Sequence, residues 1–125
     1  MIVGTQHSPS QAFIAFARTF FEALANDEFG MALGKLDASA SGWDKATLRR
    51  ALHDAAGTPR IASSRGFTQS AKPVVDELDN GHYILKHRLP LGTKWGEAYA
   101  VFRFRQKPGT SYFHDLVAIE RGGLK

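Results

Sequence analysis

Residues 74–89 read VVDELDNGHYILKHRL, two runs of alternating apolar and polar residues on either side of Asn80-Gly81. An Asn-Gly dipeptide favours the left-handed backbone of a two-residue hairpin turn. The alternation has the period of two that is typical of a strand with one buried face. The stretch therefore predicts an antiparallel hairpin, in which a two-residue turn pairs Asp76 with Leu85 and Val74 with His87.

Two further strands follow the hairpin. Residues 97–106 and 111–120 both alternate, and the sequence KPGT at 107–110 predicts the turn between them. The register that joins apolar faces gives the pairs Leu85 with Phe102, His87 with Ala100, Phe104 with Phe113, Phe102 with Asp115 and Ala100 with Val117. We therefore expect a sheet of four or more antiparallel strands.

Upstream of Pro73 the apolar period is that of a helix. A first helix opens at Ser8-Pro9, a short second one follows Asp27, and a third begins at Trp43-Asp44 and ends at Gly57. The apolar faces of helices and strands predict a common core of Phe13, Phe16 or Ala17, Phe20, Leu24, Leu48, Leu52, Leu85, Phe102, Val117 and Ile119. The fold class is α+β, with N-terminal helices packed on a curled antiparallel sheet.

Composition limits the classes of protein. A chain of 125 residues is the usual size of one domain, so residues 1–125 are interpreted as a single domain. The absence of cysteine excludes a disulfide framework, a thiolate metal site and a thiol nucleophile. The N-terminus has no basic segment followed by an apolar run, and no stretch is as apolar as a membrane span, so a cytoplasmic location is expected.

The charge is uneven. The first 60 residues hold six Lys and Arg and six Asp and Glu, whereas residues 61–125 hold ten and six. The whole formal charge of +4 therefore lies in the sheet half. A charge of this size suits an acidic protein partner and does not by itself indicate nucleic acid, so nucleic-acid binding is not expected.

The order of elements resembles the nuclear transport factor 2-like, or cystatin-like, superfamily. The helix around residues 13–24, the short helix before Ser41 and the closing strand YFHDLVAIE at 112–120 carry the resemblance, which covers nearly the whole chain. It implies a helical hairpin against the concave side of a curled sheet. The superfamily contains isomerases, dehydratases, transport adaptors and bacterial immunity proteins, so the resemblance leaves function open.

Three ionisable residues fall on the apolar face in the predicted register: Asp76, His87 and Asp115. Tyr83 lies on the same face. In ketosteroid-isomerase-like members of the superfamily an Asp base works with a Tyr in the interior, which makes these four residues the candidate catalytic set of an isomerase-like or small-molecule-binding enzyme. There are two structural alternatives, because polar groups on a buried face must be paired. One is a satisfied polar pair, and the other places Asp76 and Asp115 at the rim of the sheet, where they cap backbone amides.

The opposite face of the sheet mixes basic and aromatic residues. Arg and Tyr are enriched at protein interfaces. The candidate partner-binding residues are Arg88, Tyr99, Arg103, Arg105 and Tyr112, together with Trp95 in a hairpin loop. A plain solvated face is the alternative, and for Trp95 a loop side chain folded over the end of a helix.

Two functional hypotheses follow. The first is a non-catalytic protein-binding domain that contacts an acidic surface of a partner. In its narrowest form it is a bacterial immunity protein, and the partner is the toxin that it neutralises. A second copy of the chain is the other partner considered. The second is the enzyme with its site inside the cone. No metal-ligand spacing, phosphate loop or dinucleotide fingerprint is present, so neither a metal nor a cofactor is expected.

Overall fold

The computed structural model describes residues 10–37, 42–78, 81–106 and 112–122. Within them the helices are α1 (Ser10–Ala25), α2 (Phe29–Gly34) and α3 (Lys45–Ala56). The strands are β1 (Val74–Glu77), β2 (His82–Leu91), β3 (Lys94–Gln106) and β4 (Tyr112–Glu120). They form one antiparallel sheet in the order β1-β2-β3-β4. The predicted α+β class, with helices first and a four-stranded sheet after them, is confirmed.

The helix ends follow from local chemistry. Asp44 caps α3, because its carboxylate accepts a hydrogen bond from the backbone N–H of Thr47 and the Thr47 hydroxyl oxygen accepts one from the backbone N–H of Asp44. Gly57 ends α3 with φ of 80°, a conformation that glycine adopts at low cost. The predicted opening of α1 at Ser8-Pro9 lies outside the described residues. No helix in the described ranges combines the length and apolar character that crossing a bilayer requires.

Aromatic side chains fill the space between the helices and the sheet. Phe13 of α1 stacks on Phe104 with ring centroids 4.0 Å apart, and Phe20 meets Phe102 edge to face at 5.5 Å. The predicted core residues are buried or packed against the core, with one exception. Val117 is 47% exposed, because β4 contains a bulge at this residue.

The register of the middle hairpin is as predicted, with Leu85 opposite Phe102 and His87 opposite Ala100. The first hairpin is shifted by one residue: Asp76 pairs with Ile84 and Val74 with Lys86. The predicted register was wrong here because it buries Asp76, whereas the observed one packs Val75 against the core and leaves Asp76 exposed. Asn80 lies outside the described residues. Gly81 has φ of 75°, and a Cβ there would come within 2.8 Å of Gln106 Oε1.

The last hairpin is also shifted by one residue. Phe104 pairs with His114 and Arg103 with Asp115, so Leu116 is buried among the helices where Asp115 was expected. Beyond the bulge at Val117 the residues of β4 again face the sides that were predicted for them, and Ile119 packs against the core opposite Ala100. The predicted turn at 107–110 lies outside the described residues.

The outer edge of β4 is covered by the chain that precedes α3. The backbone N–H of Asp37 donates to the carbonyl oxygen of His114 at 2.9 Å, and the Asp37 carboxylate accepts from the N–H of His114. The indole N–H of Trp43 donates to the carbonyl of Leu116 at 2.6 Å. Two successive edge positions of β4 are thereby paired within the molecule.

Candidate functional site

The face of the sheet that points away from the helices is called the outer face. No helix among the described residues packs on it. In the observed register it carries Val74, Asp76, Ile84, Lys86, Arg88, Tyr99, Val101, Arg103, Arg105, Phe113 and Asp115. Its basic side chains lie on the two central strands, β2 and β3. Its carboxylates are Asp76 on β1, Asp115 on β4, and two that lie beside Tyr99: Glu97, two residues before it on β3, and Glu120, opposite it on β4. The basic part of the face is therefore the stretch of β2 and β3 around Lys86 and Arg103.

Arg105 of the outer face forms an ion pair with a carboxylate of the same face. Arg105 Nε lies 3.3 Å from Asp115 Oδ2, and the Arg105 guanidinium lies 5.0 Å from the ring centre of Phe113. The side chain of Asp115 is only 9% exposed, and its Oδ1 has no hydrogen-bond partner within the described residues. Arg105 therefore supplies the charge that keeps a buried carboxylate in place.

We expect Arg105→Leu to lower the free energy of unfolding by about 1–3 kcal/mol, because it leaves the Asp115 carboxylate buried without its cation. Urea denaturation followed by circular dichroism measures the change. Asp115→Leu combined with Arg105→Leu removes both charges and should recover much of the loss. Equal stabilities for Arg105→Leu and the wild type would show that the ion pair contributes nothing.

The predicted catalytic set does not come together. Asp76 and Asp115 lie on the outer face, whereas His87 and Tyr83 face the helices, so the expectation that all four share one face was wrong. The reason is the one-residue shift of both outer hairpins, which exchanges the two faces of a strand. Tyr83 lies four residues from His87 along β2, about 13 Å at the usual rise of a strand. Burial and the nearby Glu77 raise the pKa of Tyr83.

The same shift moves two residues of β4 off the outer face. Tyr112, a predicted partner-binding residue, lies on the helix-facing side with its ring 5.0 Å from that of Phe13. His114, also expected outside, stacks on Phe16 at 4.4 Å. Both aromatic side chains gain burial against α1 that the outer face does not offer. Arg88, Tyr99, Arg103 and Arg105 keep their predicted place on the outer face.

Trp95 is folded onto the protein. Its indole N–H donates to the carbonyl oxygen of Gln69 at 2.9 Å, and its ring meets Phe67 edge to face at 5.0 Å. The Arg18 guanidinium lies 5.5 Å from the Trp95 ring centre. The expected hairpin-loop position of Trp95 is wrong, because the residue lies in β3 opposite Pro90. Its contacts are with residues 67 and 69 and with the middle of α1, so it does not fold over the end of a helix either. The ring remains half-buried and borders open space.

The segment 60–72, here called the strap, crosses the end of the sheet next to Trp95. Glu22 of α1 is its main anchor: the carboxylate accepts hydrogen bonds from Ser63 Oγ and the Ser64 N–H and lies 3.4 Å from Arg65 Nε. Arg88 Nη1 donates to the carbonyl of Ala71 at 2.7 Å. The sequence predicts a linker-like loop here, with one short strand around Phe67 as an option; the structure has no strand in this segment. Its sequence holds three cations and no carboxylate, and this was the one feature that could have indicated contacts with an acidic residue such as Glu22.

His87 lies beneath the strap and is fully buried. Its Nδ1 is 2.8 Å from the carbonyl oxygen of Arg88, which accepts the proton of the Nδ1–H tautomer. The rings of Phe21 and Trp95 pack against the imidazole, and Nε2 has no hydrogen-bond partner in the described parts of the chain. Burial lowers the pKa of His87 to about 4, and the charge of Arg18 acts in the same direction. The imidazole is therefore neutral at neutral pH.

No family model, no curated protein and no solved structure matches this chain. Among the described residues, no three His, Asp or Glu side chains are grouped in a way that would hold a metal ion. The assignment of function consequently depends on the geometry of the sheet and of the strap.

Proposed function

We propose that the chain is a non-catalytic protein-binding domain of the nuclear transport factor 2-like type, whose outer face contacts an acidic surface of a partner protein. One observation carries the proposal. Lys86, Arg88, Arg103 and Arg105 occupy the two central strands of a sheet face that no described helix covers. Tyr99 and Phe113, both half-buried, lie beside them.

The composition of this face suits a protein partner. Arg offers a planar fork that binds carboxylates with two hydrogen bonds, and Tyr offers a rigid apolar ring with a polar tip. Arg103 is exposed at the centre of the face, opposite Ile84 on one side and Asp115 on the other. Its guanidinium is the side chain best placed to meet an acidic group of the partner.

The enzyme hypothesis loses its support in the observed geometry. Two of its four candidate residues, Asp76 and Asp115, lie outside the helix-facing side. Phe16, Phe20 and Phe21 contact Phe102 across the space that a substrate would occupy. We therefore propose no reaction for this protein.

The finer parts of the proposal depend on the resemblance described above. The resemblance implies that the sheet is curled, and the superfamily includes bacterial immunity proteins among several classes. In its narrowest form we propose that the protein works in the bacterial cytoplasm and that the partner is a toxin domain which this chain neutralises. The toxin hypothesis predicts that a toxin is encoded beside the gene for this chain. Co-expression of the chain with that toxin should protect cells, and Arg103→Glu should abolish the protection.

We expect Arg103→Glu to reduce capture of the partner at least about tenfold. Arg103→Gln should weaken capture in the same direction while leaving the melting temperature unchanged, since exposed charges contribute little to stability. The measurement is affinity capture from a lysate of the source organism with quantitative mass spectrometry. Arg50→Glu, on the exposed side of α3, is the matched control. Capture should also weaken as salt is added.

Arg105 is left unchanged because it holds the ion pair with Asp115. Arg103 also lies opposite Asp115, so Arg103→Gln is made beside Arg103→Glu: it removes the cation without placing a second carboxylate there. Equal capture of one acidic protein by the wild type and by Arg103→Glu would refute the outer face as the contact surface. Loss of capture with Arg50→Glu as well would show that total charge, and not this face, governs binding.

A further inference from the structure

The strap and Trp95 border open cavities that share Arg88 with the outer face and are not lined by Arg103. One cavity of about 210 Å³ is lined by Phe67, Gln69, Lys94 and Trp95, among others. A second, of about 500 Å³, is lined by Gln69, Ser70, Lys72, Arg88 and Trp95. Gln69 and Trp95 therefore line both cavities. The larger one falls within the range of volumes usual for small-ligand sites.

The charge around these cavities has one sign. Lys94 lines the smaller cavity, and Lys72 and Arg88 line the larger, with no carboxylate in either wall. A third cavity, of about 440 Å³ on the α1 side of the strap, adds Arg18 and Arg65. Its only carboxylate, Glu22, already binds Ser63, Ser64 and Arg65. The three cavities together are lined by five cations and one carboxylate. Their net charge of +4 equals the formal charge of the whole chain.

The backbone at Lys72 adds an independent observation. Lys72 has φ of 50°, in the left-handed region that side-chain-bearing residues rarely adopt. The conformation is held by Ser70, whose Oγ accepts from the Lys72 N–H at 3.0 Å, and by Arg88, which donates to the carbonyl of Ala71. A glycine would adopt this backbone without strain, so the lysine is present at a cost. Strained residues of this kind cluster at binding sites.

We propose that the larger cavity, between Lys72, Arg88 and Trp95, is a binding site for an oxyanion group of a small ligand, a phosphate or a carboxylate. The two cations supply the charge, and the Ser70 hydroxyl and Gln69 amide supply neutral hydrogen-bonding groups. The buried His87 is neutral and adds no charge. The Trp95 ring is already in contact with Phe67, His87 and Arg18, so it forms a rigid wall and does not stack on the ligand.

Calorimetric titration of the wild-type protein with pyrophosphate and with citrate, at about 20 mM salt, tests the site. We expect binding that weakens as sodium chloride is added. Tighter binding of pyrophosphate would assign the site to phosphate-bearing ligands, and equal or tighter binding of citrate would assign it to carboxylates. Absence of binding by both anions would overturn the proposal.

Lys72→Gly is the decisive variant, because it removes the cation while suiting the positive φ, and it should fold as well as the wild type. We expect it to weaken anion binding at least about tenfold. Lys94→Gln, in the neighbouring cavity, should weaken it less. Wild-type affinity in Lys72→Gly would refute the site.

Arg103→Glu separates this inference from the proposed function. It should abolish capture of the partner and leave anion binding within about twofold of the wild type, because Arg103 lines neither cavity beside Trp95. Loss of anion binding in Arg103→Glu would overturn the strap as the site. The fluorescence of Trp95 gives a second readout of occupancy, since its ring borders the cavity.

Discussion

Phe102→Ala should lower the free energy of unfolding by about 3–5 kcal/mol, the usual cost of deleting a buried aromatic ring. Phe102 is fully buried at the centre of the sheet. Its ring meets those of Phe16 at 5.7 Å and Phe20 at 5.5 Å, so two aromatic rings of α1 converge on it. Because these rings are held by α1 as well as by the sheet, the cavity left behind cannot close easily.

Urea denaturation at neutral pH measures this loss. Phe113→Ala makes the same chemical change two residues before Asp115 on the outer face, where the ring is only half-buried. We expect it to cost clearly less. If the two variants lost equal stability, the assignment of faces in β3 and β4 would be wrong.

Acid should destabilise the protein through His87. Its folded-state pKa of about 4 lies below the ordinary value of 6.5, because burial disfavours the charged imidazole and Arg18 and Arg88 add repulsion. Protons therefore bind the unfolded chain more tightly. The stability that neutral His87 provides is fully present above about pH 6.5 and is lost as the pH falls towards 4. Between about pH 7.5 and pH 5 the loss should be roughly 2 kcal/mol.

The pH dependence of the urea midpoint over this range tests the prediction. His87→Leu removes the titrating group and should flatten the dependence, whatever it does to the stability at neutral pH. His53→Gln, on the exposed surface of α3, should leave the dependence unchanged. A slope that persists in His87→Leu would assign the acid sensitivity to other groups.

The helices, the strands and the middle register could be predicted because each is encoded over short distances. Phe13, Phe20 and Leu24 repeat at helical spacing, and Leu85 and Phe102 lie in strands whose apolar faces match in only one register. The registers of the first and last hairpins depend on the geometry of their turns. The bulge at Val117 has no local signature, and a shift of one residue exchanged the faces of Asp115 and Leu116.

The candidate site residues, too, could be predicted only where their position depends on residues close by in the sequence or on a correctly predicted strand pairing. Arg88 and Arg103 were placed correctly because β2 and β3 were paired correctly. The strap was missed because its anchor, Glu22, is about forty residues away in the chain from Ser63 and Ser64. The positive φ of Lys72 is likewise invisible in the sequence, since lysine carries no preference for it.

The covered edge of β4 bears on how this protein avoids self-association. A long edge strand offers its unpaired backbone groups to any other chain, and this is a common start of aggregation. Asp37 and Trp43 already bind the backbone of His114 and Leu116, so an incoming strand cannot extend the sheet along this part of β4. The opposite edge strand, β1, is only four residues long. The protein thus limits fibre-like growth at one edge by capping and at the other by brevity.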